Sequence, residues 1–314
     1  MLIRHLKFFV TLAEMQHFGR AAEACNVTQP TLSQAIRKLE EDLGFPLIVR
    51  GHRFRGLTSE GRKLLDWGRQ ILTDYDSLRN DLAGQRKGGL RGTLRLGVIP
   101  AAMPSVSFLS AQFATRHPLS SIDLRSMSSR AISAALENFE IDGGVTYLEN
   151  EPLENVRRVP LYYERYVFAC RQDHPLARRK AVPWAEAVRE PLCLLSEDMQ
   201  NRRILNHIAA SAGVSMRPHV VSNSFLGVAS HLKNGAWCAI VPHSFGYLFG
   251  DMPDLALREM IEPVRRQLIG LVLSHRDPQS PMSGALQECA AHADMQRHFD
   301  AAAAGLPVAA DQPG

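Results

Sequence analysis

Between positions 29 and 38 the chain carries Gln29, Thr31, Ser33, Gln34, Arg37 and Lys38, all able to hydrogen-bond and none of them acidic. Glutamine matches adenine N6 and N7 with paired hydrogen bonds, and serine and threonine serve either a base edge or a phosphate. Interleaved with them, Leu32, Ile36, Leu39 and Leu43 recur at spacings of four, three and four. One helix therefore buries the apolar stripe and presents the polar set outward. Just beyond, IVRGHRFRGLT places Arg50, His52, Arg53 and Arg55 in a short basic run, suited to following a phosphate backbone or probing a minor groove. Each feature alone is also what a solvated helix face or a basic loop looks like. In succession they predict contact with DNA.

The elements that must position these residues are legible around them. Leu6, Phe9, Val10 and Ala13 form a helical stripe over 3–15, and small residues Ala21, Ala22 and Cys25 suit a second, closely packed helix over 19–25. Thr28 can cap the third helix, Pro30 fits its first turn and Gly44 ends it. Residues 45–58 read as a short hairpin with a basic tip. Thr58 or Ser59 opens a long helix to about Lys87, on which Leu64, Trp67, Ile71, Tyr75, Leu78 and Leu82 recur every three or four residues. That seam is narrow and flanked by charge, as in a helix that pairs with a second copy. Gly88, Gly89 and Gly92 mark a hinge after it.

Charge follows the same division. Residues 1–91 hold 15 Lys/Arg against 10 Asp/Glu, whereas the remainder holds 21 against 22, so the positive excess lies where phosphate contact is expected. Five scattered cysteines, Cys25, Cys170, Cys193, Cys238 and Cys289, show neither a disulfide framework nor metal-ligand spacing, and read as reduced, packed thiols. The N-terminus lacks the pattern of a signal peptide and no segment has the roughly 20 apolar residues of a membrane span, so a cytoplasmic protein with no membrane partner is expected.

From Thr93 strands and helices alternate: TLRLGVI, a helix over 101–117, IDLRSM, a helix over 129–139, and GGVTYL. After VPLYYERYVFACR the rhythm resumes with LCLLS, a helix over 200–212, HVVSN, a helix over 225–234 and CAIVP, and LIGLVL with a helix over 281–299 closes it. Such alternation predicts parallel sheet with crossover helices, here in two α/β lobes linked twice. The tail AAAAGLPVAADQPG has little to bury and reads as disordered.

The stretch FFVTLAEMQHFGRAAEACNVTQPTLSQAIRKLEEDLGFPLIVR closely resembles the N-terminal signature of LysR-type transcriptional regulators, through the AA pair at 21–22, TQPTLS at 28–33, IRKLEEDLG at 36–44 and the PL–R pattern at 46–50. LTSEG at 57–61, RQDHPLA at 171–177 and NGAWCAIVP at 234–242 extend the resemblance. It implies a winged helix-turn-helix over 1–58, a linker and dimerisation helix with a hinge over 59–91, and a two-lobed, periplasmic-binding-protein-like α/β effector domain over 92–300. Lobe I would comprise 92–160 and 268–300, lobe II 161–267, and the tail 301–314. It also implies a homodimer, usually assembled into a tetramer, on partly palindromic promoter DNA, with a small-molecule effector and RNA polymerase as further partners. Gln29, Pro30, Ser33, Gln34 and Arg37 fall at the family's DNA-contacting positions, with Arg53 in the wing; Thr31, Arg50 and Arg55 join them from their own chemistry.

An effector cleft is expected where strands end and helices begin, because helix N-termini offer free amides and a positive dipole end. Pro100, Ala101 and Ala102 open the first such helix; the family often places a hydroxyl residue where Ala101 stands, so a side-chain contact is lost here. Ser128 and Ser129 open the next, with Ser129 either a cap or a ligand contact. From the second lobe come Ser196, Met199, Asn201 and Arg202, the last as partner to a ligand carboxylate or as a surface charge, and Asn223 beside Ser224. A small organic acid or other anion is the expected ligand. No catalytic set, metal site or cofactor motif stands in a suitable context, and His174, before a proline, reads as structural. Two other readings fit less well: an architectural DNA-binding protein has no use for about 200 residues of lobes, and an enzyme or solute-binding protein fused to a DNA module would need catalytic residues or a leader.

Overall fold

The computed structural model describes residues 3–49, 54–83, 90–149, 153–249, 253–276 and 279–303. The chain divides into two compact units, Met1–Leu90 together with Glu137–Glu140, and Arg91–Leu136 together with Ile141–Gly314.

The first unit is built on α1 (Ile3–Met15), α2 (Phe18–Ala24) and α3 (Gln29–Leu43). Phe8 and Leu12 of α1, Ala21 and Ala22 of α2, and Leu32, Ala35 and Ile36 of α3 share one core. Each large apolar side chain so buried contributes about 1.5–3 kcal/mol, which holds three short helices together that would be marginal alone. Thr28 caps α3, its Oγ1 accepting the Thr31 amide at 3.4 Å, and Pro30 sits in the first turn. Gly44 closes α3 in the left-handed region at φ 79°, where a Cβ would be strained. Glu40 then ties down the wing: its Oε1 accepts the Leu47 amide at 2.7 Å and the Ile48 amide at 3.2 Å. The hairpin is present at its base, with Ile48 opposite Leu57 and the Val49 amide donating to the Gly56 carbonyl.

Thr58 caps the long helix α4 (Ser59–Ala83): its hydroxyl accepts the Gly61 amide at 2.9 Å and donates to the Pro46 carbonyl at 2.7 Å. The apolar seam on α4 serves two surfaces. Leu64, with Leu65 and Leu72, packs on Phe9, Val10, Leu39 and Leu47 within the unit, while Trp67, Tyr75, Leu78 and Leu82 remain exposed. The expected continuation to Lys87, with the hinge glycines Gly88 and Gly89, lies outside the described residues.

The second unit contains two main sheets. In the first, β1 (Gly92–Val98), β2 (Ser120–Ser126), β3 (Gly143–Tyr147), β4 (Val156–Glu164) and β11 (Gln267–Ser274) lie in the order β2-β1-β3-β11-β4. The second orders β6 (Ala181–Pro183), β10 (Leu255–Ile261), β5 (Tyr166–Arg171) and β9 (Ala239–Pro242) as β6-β10-β5-β9. A short parallel pair, β7 (Cys193–Leu195) with β8 (Val220–Ser222), joins β9 through the Leu192–Cys238 bridge. The helices are α5 (Met103–Arg116), α6 (Ser129–Glu137), α7 (Trp184–Ala187), α8 (Gln200–Ser211), α9 (Phe225–Lys233), α10 (Phe245–Phe249), α11 (Pro281–Ala291) and α12 (Met295–Ala303).

The expectation of parallel sheet needs correcting: both main sheets are mixed. β1 pairs β2 and β3 in parallel, but β11 runs antiparallel to β3 and β4, and β5 antiparallel to β9 and β10. Four of the strands in antiparallel pairs, β4, β5, β10 and β11, are the segments that carry the chain between sheets. β4 stays in the first sheet as far as Glu164, opposite Gln267, Arg165 is the step, and β5 starts the second sheet at Tyr166. The return runs from the end of β10 at Ile261 to the start of β11 at Gln267. Strand β10, LALREMI, was not among the expected elements; Arg258 and Glu259 interrupt its apolar run. The single helix expected over 281–299 is two, broken at 292–294. The proposed tail boundary at 301 falls inside α12, and residues 304–314 lie outside the described residues.

Candidate nucleic-acid interface and ligand cleft

On α3 the buried side is Leu32, Ala35, Ile36 and Leu39. Gln29, Pro30, Thr31, Gln34 and Arg37 are exposed on the other side and Ser33 is half-buried, so the helix sets these six expected contact residues on a single face. Thr31 does double duty, since its hydroxyl lies 2.8 Å from that of Thr28 at the cap. Lys38 is held within its own helix by Asp42 at 3.3 Å and Glu41 at 3.6 Å, which draws its charge away from the reading face. Arg55 is exposed at the wing; Arg50 and Arg53 lie outside the described residues.

In the second unit a small cleft opens where strand ends of the first sheet and of the β7–β8 pair meet helix starts. Ile99, Pro100 and Ala101 line it after β1, Ser128 and Ser129 at the start of α6, and Tyr147 at the end of β3. The other wall is Leu195 at the end of β7, with Met199, Gln200 and Asn201 at the start of α8. Six of the expected residues, Pro100, Ala101, Ser128, Ser129, Met199 and Asn201, are thus brought together. The cap of α6 is Ser128, whose Oγ accepts the Ala131 amide at 3.3 Å and whose carbonyl accepts that of Ile132, while Ser129 is buried in the first turn. No side chain caps α8 at Met199.

Four expected residues do not line the cleft. Ala102 is fully buried, its amide turned back to the Ile99 carbonyl in a tight turn. The Ser196 amide donates to the Ser222 carbonyl and its hydroxyl is buried without a hydrogen-bond partner, and Asn223 is exposed in the turn before α9. Arg202 is not a surface charge, and it lies outside the cleft lining. It is only 3% exposed, with Nη1 donating to the Leu195 carbonyl at 2.9 Å, Nε to Asn206 at 3.0 Å and Nη2 near Glu197 at 3.5 Å. Helical geometry explains the turn: from a shared first turn, Gln200 and Asn201 face the cleft and the next residue is rotated by a further 100° or so onto β7.

Gln200, Tyr147, Ile99 and Leu195 were not expected. Gln200 and Asn201 are adjacent polar residues in the first turn of a helix that follows a strand, which is the signal that marks them; Tyr147 ends an entirely buried strand on the same crest. Gln200 is 4% exposed, its Nε2 donates to the Glu149 carbonyl at 3.3 Å, and its Oε1 is buried without a partner. A buried amide oxygen left unpaired costs about 1–3 kcal/mol, and this one belongs to a cleft wall. Behind it, Asn201 Nδ2 donates to the Tyr147 hydroxyl at 2.9 Å and Tyr147 donates to Glu164 Oε1 at 2.6 Å. Burial pushes the Glu164 carboxyl up to about 8, more than the hydroxyls of Tyr147 and Tyr166 hold it down. Burial drives His243 the other way, down to about 4, so its ring is neutral.

The five cysteines are free thiols and none lines the cleft. Burial pushes the Cys170 and Cys238 thiols up to about 12 and raises those of Cys193 and Cys289. His174, Glu190 and Cys238 converge within 4.8 Å. However, His174 Nδ1 accepts the Leu176 amide at 3.2 Å, so Nε2 carries the proton and donates to Glu190 at 3.3 Å. With both ring nitrogens engaged, His174 pins a turn rather than offering a metal ligand.

The profile described as bacterial regulatory helix-turn-helix protein, lysR family, matches residues 3–62, and that of the LysR substrate binding domain matches 87–294. The chain belongs to the LysR family of transcriptional regulators. The DNA-binding transcriptional dual regulator OxyR of Escherichia coli K12 is 30% identical over 303 residues, 96% of this chain and 98% of that protein. A hydrogen peroxide-inducible genes activator of Dickeya chrysanthemi is 28% identical over 313 residues, 96% of this chain and 98% of that protein. Among solved structures, a full-length OxyR variant from Pseudomonas aeruginosa has a TM-score of 0.74 at 24% identity, covering 95% of this chain and 97% of that one. CbnR in complex with its target DNA has a TM-score of 0.67 at 22% identity, covering 93% and 100%. The architecture is therefore that of this family: helix-turn-helix first, then an α/β effector domain of two sheets. No helix among the described residues is long and apolar enough to cross a membrane.

Proposed function

We propose that this LysR-family regulator reads promoter DNA with the exposed face of α3, assembles along α4 into a homodimer and then a tetramer, and responds to a small molecule held in the cleft without a covalent bond. The observation that carries the effector reading is the cleft wall itself, where Gln200 keeps a buried, unpaired oxygen beside the oriented Tyr147–Asn201 pair. A small organic acid or other anion fits it through the starts of α6 and α8 and the Ser128 and Ser129 region, with Arg202 taking no part.

Several relatives are named for hydrogen peroxide. A thiol that reacts with peroxide must be accessible and ionised to a useful degree. Here the cleft holds no thiol, burial holds the four buried ones in the protonated form, and the half-buried Cys25 belongs to the helix-turn-helix unit, apart from the effector domain. We therefore favour reversible ligand binding over thiol oxidation. Two arms of one experiment test this. In a thermal-shift screen of small organic acids and inorganic anions, a ligand at 100 times its Kd stabilises the native protein by about 2.7 kcal/mol; a flat screen counts against the effector reading. Equimolar hydrogen peroxide leaves the promoter footprint unchanged, and a footprint that peroxide alters defeats the non-covalent reading.

The reading face has its own test. Gln29→Ala weakens promoter binding by about 1–3 kcal/mol and relaxes base preference. Arg55→Ala and Arg53→Ala instead weaken all sequences alike and flatten the salt dependence by roughly one charge each. Gel-shift titrations over a salt series separate the two behaviours, and unchanged operator affinity for Gln29→Ala shows that the reading face is assigned wrongly.

A further inference from the structure

Glu164 is fully buried at the point where β4 gives way to β5 and the chain leaves the first sheet for the second. A buried carboxylate needs a cation or several donors to stay ionised. Among the described residues no arginine, lysine or histidine forms an ion pair with it. The neighbouring Arg165 turns its guanidinium to Glu259 at 2.8 Å and Asp300 at 3.1 Å. The ionisable groups around Glu164 are tyrosines: Tyr147 from β3, Tyr162 from β4 and Tyr166 from β5, all buried and all holding their protons well above the usual tyrosine range. From α8 comes Asn201, which is uncharged, and His243, whose Nδ1 accepts the Arg165 amide at 3.0 Å, is neutral. Only one oxygen of the carboxyl is satisfied: Oε1 takes the Tyr147 hydroxyl, and Oε2 meets no donor in hydrogen-bonding geometry.

Tyr147 and Asn201 are also walls of the cleft. The Tyr147 hydroxyl is saturated, its proton given to Glu164 and a lone pair given to Asn201, and that exchange fixes which way the Asn201 amide points. We propose that Glu164 is a proton-holding positioning residue of the cleft, a buried neutral acid that orients Tyr147 and Asn201 and thereby couples cleft occupancy to its own protonation. By linkage, an anion seated beside this relay favours the protonated acid and binds more tightly as the pH falls. The coupling to a ligand rests on the reading of the cleft given above; the state of Glu164 does not.

The sign of the linkage is fixed by the elevated value of about 8 in the folded protein, against 4.5 for a free side chain. The folded state holds a proton that the unfolded chain has lost, so the stabilisation is complete below the unfolded value and is lost as the pH rises through the folded one. The test uses the full-length protein with no ligand. In pH-difference infrared spectra, a protonated-carboxyl band is expected to disappear with a midpoint near 8 and to be absent from Glu164→Gln. The melting temperature of Glu164→Gln should gain on that of the native protein as the pH rises from 5 to about 8, then level off. In Tyr147→Phe the ionised form loses a charge-assisted hydrogen bond, so the acid constant falls about tenfold and the midpoint moves to higher pH. Coincident melting profiles for Glu164→Gln and the native protein, or no band to lose, overturn the proposal, and an unmoved midpoint in Tyr147→Phe overturns the coupling to the cleft. Should Glu164→Gln not accumulate as folded protein, the native band and Tyr147→Phe decide the matter. If the titration behaves as stated while no anion stabilises the protein, the relay stands and the effector reading falls.

Discussion

Leu78→Asp should leave the protein monomeric in sedimentation velocity at micromolar concentration, where the native chain is expected to sediment as a dimer or larger. Leu78 is 56% exposed in a single chain, on the same helix as exposed Trp67, Tyr75 and Leu82, whereas Leu64, Leu65 and Leu72 are turned into the helix-turn-helix core. A partner helix on this seam removes each leucine from water, at about 1.5–3 kcal/mol per side chain. In a two-fold interface every substitution counts twice. Losing two leucine contacts and burying two carboxylates in their place costs at least about 4 kcal/mol, or about three orders of magnitude in the dimer dissociation constant. Promoter affinity falls with it, since a monomer reaches one half-site. A dimer that survives at native strength would show that α4 is not the pairing surface.

Gly61→Ala is expected to be the most damaging small substitution in the DNA-binding unit. A methyl group there would overlap the carbonyl oxygen of Leu47 and crowd its carbonyl carbon and Cα. Leu47 cannot withdraw, because its side chain is 2% exposed and its carbonyl accepts the Thr58 amide at 3.0 Å. Overpacking of side chains costs about 1–3 kcal/mol, and here the obstacle is backbone on an anchored wing, so the upper end applies. For a unit of this size each kcal/mol lowers the melting temperature by about 4–8 °C. Circular dichroism should therefore show the helix-turn-helix transition falling by more than about 10 °C, and promoter binding being lost with it. A shift of only a few degrees would mean that the wing moves freely against α4.

The glycine illustrates how motif and structure divide the account. LTSEG is recognisable as a phrase, but the reason for its last residue is a carbonyl fourteen positions earlier, brought there by Glu40 and Thr58. The α4 seam was likewise legible as a period and illegible as an address, because spacing alone does not say that Leu64 faces inward while Leu78 waits for a partner. The cleft followed the same pattern. Strand-to-helix junctions located it, yet Arg202, the side chain best suited in isolation to an anion, is consumed by the Leu195 carbonyl and Asn206.

What the sequence determined by itself was everything that depends on neighbours within a turn or two. The capped helix α3, its outward face from Gln29 to Arg37, the hairpin, the long helix and the alternation of strands and helices all arise from local spacing and local capping. What only the tertiary structure decided depends on residues far apart in the chain. It set β4, β10 and β11 antiparallel, placed Tyr147 against Asn201 across 54 positions and buried Glu164 without an ion-pair partner among the described residues. The physical reason is that hydrogen-bond partners, burial and the protonation they impose belong to a site, and a site exists only once distant segments have been packed together.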